Sequence, residues 1–106
     1  MKLFIDDTRN PPNEDYMVAR SYDEAIHILR SKGCPEYISF DHDLGSTDKS
    51  GYEIAKWIIN SDLNKKGLFI PKNFRFSVHS QNPVGAENIR SALTCYLNER
   101  DNRQGL

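Results

Sequence analysis

The residues able to do chemistry gather in three short runs. Asp6-Asp7 is followed closely by Arg9. Asp41-His42-Asp43 stands mid-chain, and His79-Ser80-Gln81-Asn82 precedes Pro83-Val84-Gly85. Four carboxylates brought together cannot all stay ionised without compensation. A hard divalent cation, Mg²⁺ or Mn²⁺, would supply it through one to three of them while keeping waters. Two histidines beside one phosphate can divide the labour, one taking a proton from water and the other giving one to the leaving oxygen. Neutral imidazoles could instead ligate a metal. Arg9 offers a two-pronged donor to an anion. Ser80, Asn82 and the free amides at Val84 and Gly85, where a helix is expected to start, complete a cradle for phosphate. Gly85 costs helix stability, which points to close approach there by a ligand or by a packed neighbour. Ser80 sits on no strained elbow, so a serine nucleophile is not expected.

The elements predicted around these runs would bring them together. Lys2–Asp6 reads as a buried strand, Tyr16–Arg20 as a second, Tyr37–Asp41 as a third and Asn73–Val78 as a fourth. Ser21-Tyr22-Asp23-Glu24 and Ser50-Gly51-Tyr52-Glu53 both have the form of a capping box, each opening a helix. Asn82-Pro83 opens a third helix. Gly45 to Ser50 reads as a loop, and Asn98 to Leu106 is polar and expected to fray. Strands alternating with helices predict a parallel sheet. The Asp7–Asp15 link is too short for a helical crossover, so a bare loop is expected to carry the chain to a parallel second strand. Ligands bind such sheets at the carboxyl ends of the strands, where all three polar runs fall.

Composition narrows the class. The chain has 106 residues, 38% hydrophobic and 27% charged, which fits one globular domain over 1–106. The formal charge of −1 excludes a whole-molecule basic field, and no duplex DNA partner is expected. Cys34 and Cys95 form no CxxC pair and no zinc spacing, consistent with reduced thiols in the cytoplasm. No apolar run approaches the roughly 20 residues that span a membrane. The apolar start is too short for a signal peptide before it turns acidic at Asp6. His27 and Lys65-Lys66 read as surface, and Trp57 as core.

Phe4-Ile5-Asp6-Asp7, Ser21-Tyr22-Asp23-Glu24-Ala25, and Phe40-Asp41 followed by Gly51-Tyr52-Glu53-Ile54-Ala55 resemble a response-regulator receiver domain. That resemblance implies Mg²⁺ at Asp6 and Asp7 and a phosphoacceptor at Asp41. A first helix, a fifth strand with its lysine and a fifth helix have no counterpart here. Ile5 to Pro11, Ser39 to Gly45 and Val78 to Gly85 more closely resemble the signature blocks of the compact cyclic-phosphate processing receivers, from Met1 to about Leu97. The implied fold is a compact, flavodoxin-like three-layer α/β domain. Its four-stranded, mainly parallel sheet has the order 2-1-3-4 and lacks the fifth strand.

The implied substrate is a cyclic phosphate of a nucleotide or of an RNA end. On this reading the protein is a phosphodiesterase-type hydrolase with His42, His79 and Asp41 as catalytic residues. Arg9, Ser80, Asn82, Val84 and Gly85 bind phosphate, and Asp6, Asp7 and Asp43 hold metal or orient the histidines. The alternative is a non-catalytic receiver-like module binding a nucleotide or a protein. The two histidines discriminate, since a phosphoacceptor needs neither.

Overall fold

The computed structural model describes residues 1–45 and 49–104. Among these, the elements run β1 (Lys2–Ile5), β2 (Tyr16–Ala19), α1 (Tyr22–Lys32), β3 (Tyr37–Phe40), α2 (Gly51–Asn64), β4 (Arg75–Val78) and α3 (Pro83–Gln104). The expected 45–50 loop includes 46–48, which lie outside the described residues.

The sheet has the expected order β2-β1-β3-β4. Every pair is parallel, including β1 with β2, so the short 6–15 segment does cross over without a helix. The register sets side chains in rows across the sheet. Tyr16, Lys2, Tyr37 and Arg75 share one row, and Val18, Phe4, Ser39 and Ser77 share another two residues further along. Beyond the strand ends, Asp6 N–H donates to Ala19 O, Asp41 N–H to Ile5 O and His79 N–H to Phe40 O. Arg20, Asp6, Asp41 and His79 therefore form the next row at the carboxyl edge.

The layering is simpler than expected. Leu3, Ile5, Ala19, Ile38 and Phe40 point to one face, where they join one cluster with Ala25, Ile26 and Leu29 of α1, Ile54, Ala55 and Ile58 of α2, and Ile89 and Leu93 of α3. All three helices thus share a face, giving two layers in place of three. The crossovers β2–α1–β3 and β3–α2–β4 advance across the sheet in the same direction, so right-handedness puts both helices on the same side. The one link running the other way, β1 to β2, carries no helix. Among the described residues, no helix packs on the face bearing Lys2, Phe4, Tyr16, Tyr37, Ser39 and Ser77.

Helix starts follow local chemistry with one exception. Ser21 Oγ accepts from Glu24 N–H at 3.1 Å, and Glu24 Oε1 accepts from Arg20 N–H at 2.8 Å, which completes the first box one residue ahead of the cap. Such a cap contributes about 1 kcal/mol. Ser50 makes no side-chain cap. Instead Gly51 N–H donates to His42 O at 2.8 Å, and a Cβ on Gly51 would stand 2.1 Å from Asp41 O. That position is closed to any residue but glycine, and α2 is thereby docked against the end of β3.

The tail from Asn98 does not fray within the described residues: α3 continues to Gln104. Arg100, only 2% exposed, donates to Ile70 O at 2.8 Å and lies 3.4 Å from Asp62 Oδ2. Asp62 also accepts from Phe69 N–H, Ile70 N–H and the Tyr96 hydroxyl. A buried carboxylate with this many donors fixes the ends of α2 and α3 and the 68–70 segment together.

Candidate functional site

The carboxyl edge of the sheet collects the three polar runs. Asp6, Asp7 and Asp41 each place a carboxylate oxygen within 4.8 Å of the others. Asp6 is fully buried, and its Oδ1 accepts the Thr8 and Arg9 amides at 2.9 Å each. Its Oδ2 accepts from His79 Nε2 at 2.9 Å. Burial alone would raise the Asp6 pKa, but the Arg9 and Thr8 amides and His79 outweigh it and hold the carboxyl below its usual range. Asp41 goes the other way: burial and then the neighbouring Asp6 charge push it up, against His79 and a hydrogen bond from Ser80. A divalent cation would relieve that repulsion. Asp6 keeps one lone pair on Oδ2, and Asp7 and Asp41 add oxygens from two further positions, so the donor set fits a hard cation.

Asp43 is not part of this cluster, contrary to its expected place among the metal ligands. It lies past the strand end and accepts from His42 Nδ1 at 2.9 Å. That bond and one from the Asn82 side chain keep its carboxyl below the usual range. Asp43 therefore orients His42. No described residue hydrogen-bonds His42 Nε2, so this nitrogen has no protein partner among them, and an Nδ1–H donated to Asp43 leaves it the acceptor. His42 packs over the start of α3: a Cβ on Gly85 would stand 2.4 Å from its Cγ. The close neighbour that Gly85 accommodates is thus this imidazole.

His79 has both nitrogens engaged, Nδ1 with Ser39 Oγ at 2.7 Å and Nε2 with Asp6. Its ring leans across β3 and stacks on Phe4, with centroids 4.7 Å apart and planes 5° from parallel. Ser39 continues through Ser77 Oγ to the Tyr37 hydroxyl. The two histidines thus stand in different circumstances, one free at a ring nitrogen and one tied at both.

The expected phosphate cradle is largely occupied by its own hydrogen bonds. Asn82 Oδ1 accepts from Gly85 N–H at 3.0 Å, and Asn82 N–H donates to Ser80 Oγ at 3.0 Å. Gly85 N–H is therefore not a free donor. Arg9 Nη1 donates to His79 O at 2.9 Å while its side chain stays 43% exposed, leaving guanidinium N–H groups toward solvent. Val84 lies exposed at the helix start.

Two contributors were missed in the sequence. Arg20 donates to the carbonyls of Asp6 and Arg9 and to Asn10 Oδ1, bracing the loop that carries Asp7 and Arg9. Its signal was an arginine directly after a strand that neighbours β1. Ser39 holds His79, and its signal was a hydroxyl inside the apolar run Tyr37-Ile38-Ser39-Phe40. His27 is exposed, and Trp57 packs against the core, as expected.

A family profile described as the cyclic-phosphate processing receiver domain matches residues 1–95. No curated protein and no solved structure matches the chain. With the parallel 2-1-3-4 sheet and its acidic carboxyl edge in place, the chain belongs to the cyclic-phosphate processing receiver domain family.

Proposed function

We propose that this edge hydrolyses a cyclic phosphodiester of a nucleotide or of an RNA end, as a phosphodiesterase-type enzyme. The observation that carries the reading is His42: oriented by Asp43 through Nδ1, with no described partner at Nε2, and next in the chain to Asp41 of a carboxylate trio suited to a cation. Water attacks phosphorus as His42 Nε2 takes its proton. The P–O bond to the ring oxygen breaks, and the proton ends on the departing alkoxide, leaving a phosphomonoester and an alcohol. Exposed guanidinium N–H groups of Arg9 meet the charge that builds on the phosphoryl oxygens. Mg²⁺ or Mn²⁺ held by Asp6, Asp7 and Asp41 would neutralise charge on the phosphate and the leaving oxygen. His79 acts as a positioning residue, fixing Asp6 through Nε2 and Arg9 through its carbonyl.

The test is a screen of 2′,3′-cyclic and 3′,5′-cyclic nucleotides and cyclic dinucleotides, with and without Mg²⁺ or Mn²⁺, with product analysis. Turnover of one class is expected, lowered about 10²–10⁴-fold in His42→Ala. Binding without turnover by any class would make the domain a non-catalytic nucleotide module. Parent-level turnover in His42→Ala would refute the assignment of the base.

A further inference from the structure

We infer that the amino-end row of the sheet's helix-free face binds the single-stranded RNA leading up to the cyclic end, so the preferred substrate is an oligonucleotide. This rests on the proposed hydrolase reading for the identity of the group at the edge, and on the register for the rest. The row Tyr16, Lys2, Tyr37, Arg75 alternates aromatic and cationic side chains across all four strands, on the face that no helix covers. Neighbouring strands lie about 4.8 Å apart, so rings and cations follow one another at close, regular spacing. Lys2 Nζ sits 5.4 Å over the Tyr16 ring and the Tyr37 ring lies 6.3 Å from it edge-on, so a base stacking on Tyr16 would displace the flexible Lys2 side chain. Arg75 is exposed and makes no side-chain hydrogen bond or ion pair with a described residue.

These residues, with Glu36 and Asn73, line a cleft of about 400 Å³. Aromatic rings on a four-stranded sheet take bases by stacking, and adjacent cations take the phosphates. Among the described residues lining this cleft Glu36 is the one acid, and it can accept from a base N–H. The row lies on the same face as Asp6, Asp41 and His79, four residues back along each strand. At about 3.3 Å per residue that is about 13 Å, a span for a short oligonucleotide and not for one base. Phe4 and Ser39 are buried, Phe4 beneath the stacked His79 ring, so the strand would run from the Tyr16–Arg75 row past the partly buried Ser77 of β4 to the edge.

The experiment is fluorescence anisotropy of a labelled single-stranded RNA pentamer ending in a plain 3′-hydroxyl, so that binding is read without turnover. The same strand in a duplex serves as the competitor. Saturable binding is expected, weakened roughly 5- to 150-fold in Tyr16→Ala by loss of stacking. Arg75→Ala, a change at an exposed side chain, should weaken binding and reduce the slope of log K against log salt by about 0.7. No binding, equal competition by the duplex, or binding indifferent to both variants would overturn the inference. So would a concentration-dependent dimer abolished by Arg75→Ala in place of RNA binding. Cyclic mononucleotide turnover with no RNA binding would sink this inference alone. RNA binding with no turnover of any cyclic phosphate would sink the hydrolase reading instead.

Discussion

Gly85→Ala tests how His42 is held without altering either His42 or Asp43. The added Cβ would stand 2.4, 2.5 and 2.6 Å from Cγ, Cδ2 and Nδ1 of His42. Carbon contacts settle near 3.5–4.0 Å, so the ring must move by about 1 Å or more. The Nδ1 bond to Asp43, at 2.9 Å, does not survive such a shift. Asp43 is 67% exposed, so losing that bond costs about 0.5–1 kcal/mol. Alanine in place of glycine in a helix returns up to about 1 kcal/mol. The two nearly cancel, and the melting temperature should stay within about 8 °C of the parent. What changes is Asp43. His42 is the largest cause of its lowered pKa, so its titration should move up toward the ordinary carboxylate range. Carboxyl-carbon NMR across an acid titration reads this directly. An unchanged Asp43 titration in a folded Gly85→Ala protein would refute the proposed contact.

Two further outcomes concern stability. Asp62→Ala leaves Arg100 buried without its carboxylate and should cost about 3–5 kcal/mol in urea unfolding. Burial raises the Asp62 pKa, but the Ile70 amide, Tyr96 hydroxyl, Phe69 amide and Arg100 together hold it below its ordinary value. Its stabilisation is therefore complete above about pH 4 and fades as pH falls through the lower folded value, a fading Asp62→Ala should lack. Asp41 has the opposite sign: its raised pKa makes the carboxylate a cost at neutral pH. Asp41→Asn should stabilise by on the order of 1 kcal/mol at pH 7, a gain that vanishes below about pH 4 and shrinks on adding Mg²⁺. An Asn variant no more stable than the parent at pH 7 would contradict the assigned repulsion.

The strand order and the gathering of Asp6, Asp41 and His79 were legible because they follow from apolar runs, short links and crossover handedness. Other features depend on contacts across long stretches of chain. Asn98–Gln104 is polar along its length and looks like a tail. Its anchor is Arg100 reaching Ile70 O and Asp62, 30 and 38 residues earlier in the chain. Ser50 precedes a good helix and resembles a cap, yet the Gly51 amide is taken by His42 O from β3's end. Asp41 and Asp43 look equivalent in sequence. The first follows β3 directly and shares a row with Asp6, whereas the second lies beyond the strand end beside His42. Gly85 is an anomaly on the sequence alone, and the fold brings the His42 imidazole over it from 43 residues earlier in the chain.

The Arg100 anchor lies outside the stretch over which family resemblance is detectable, residues 1–95. A polypeptide ended where the resemblance ends would retain every member of the Asp6, Asp41, His42 and His79 edge. It would also retain Asp62, but without the cation and the Tyr96 hydroxyl that neutralise it. The nine residues 96–104 therefore fall beyond the matched stretch, yet they supply the hydroxyl and the guanidinium that meet Asp62.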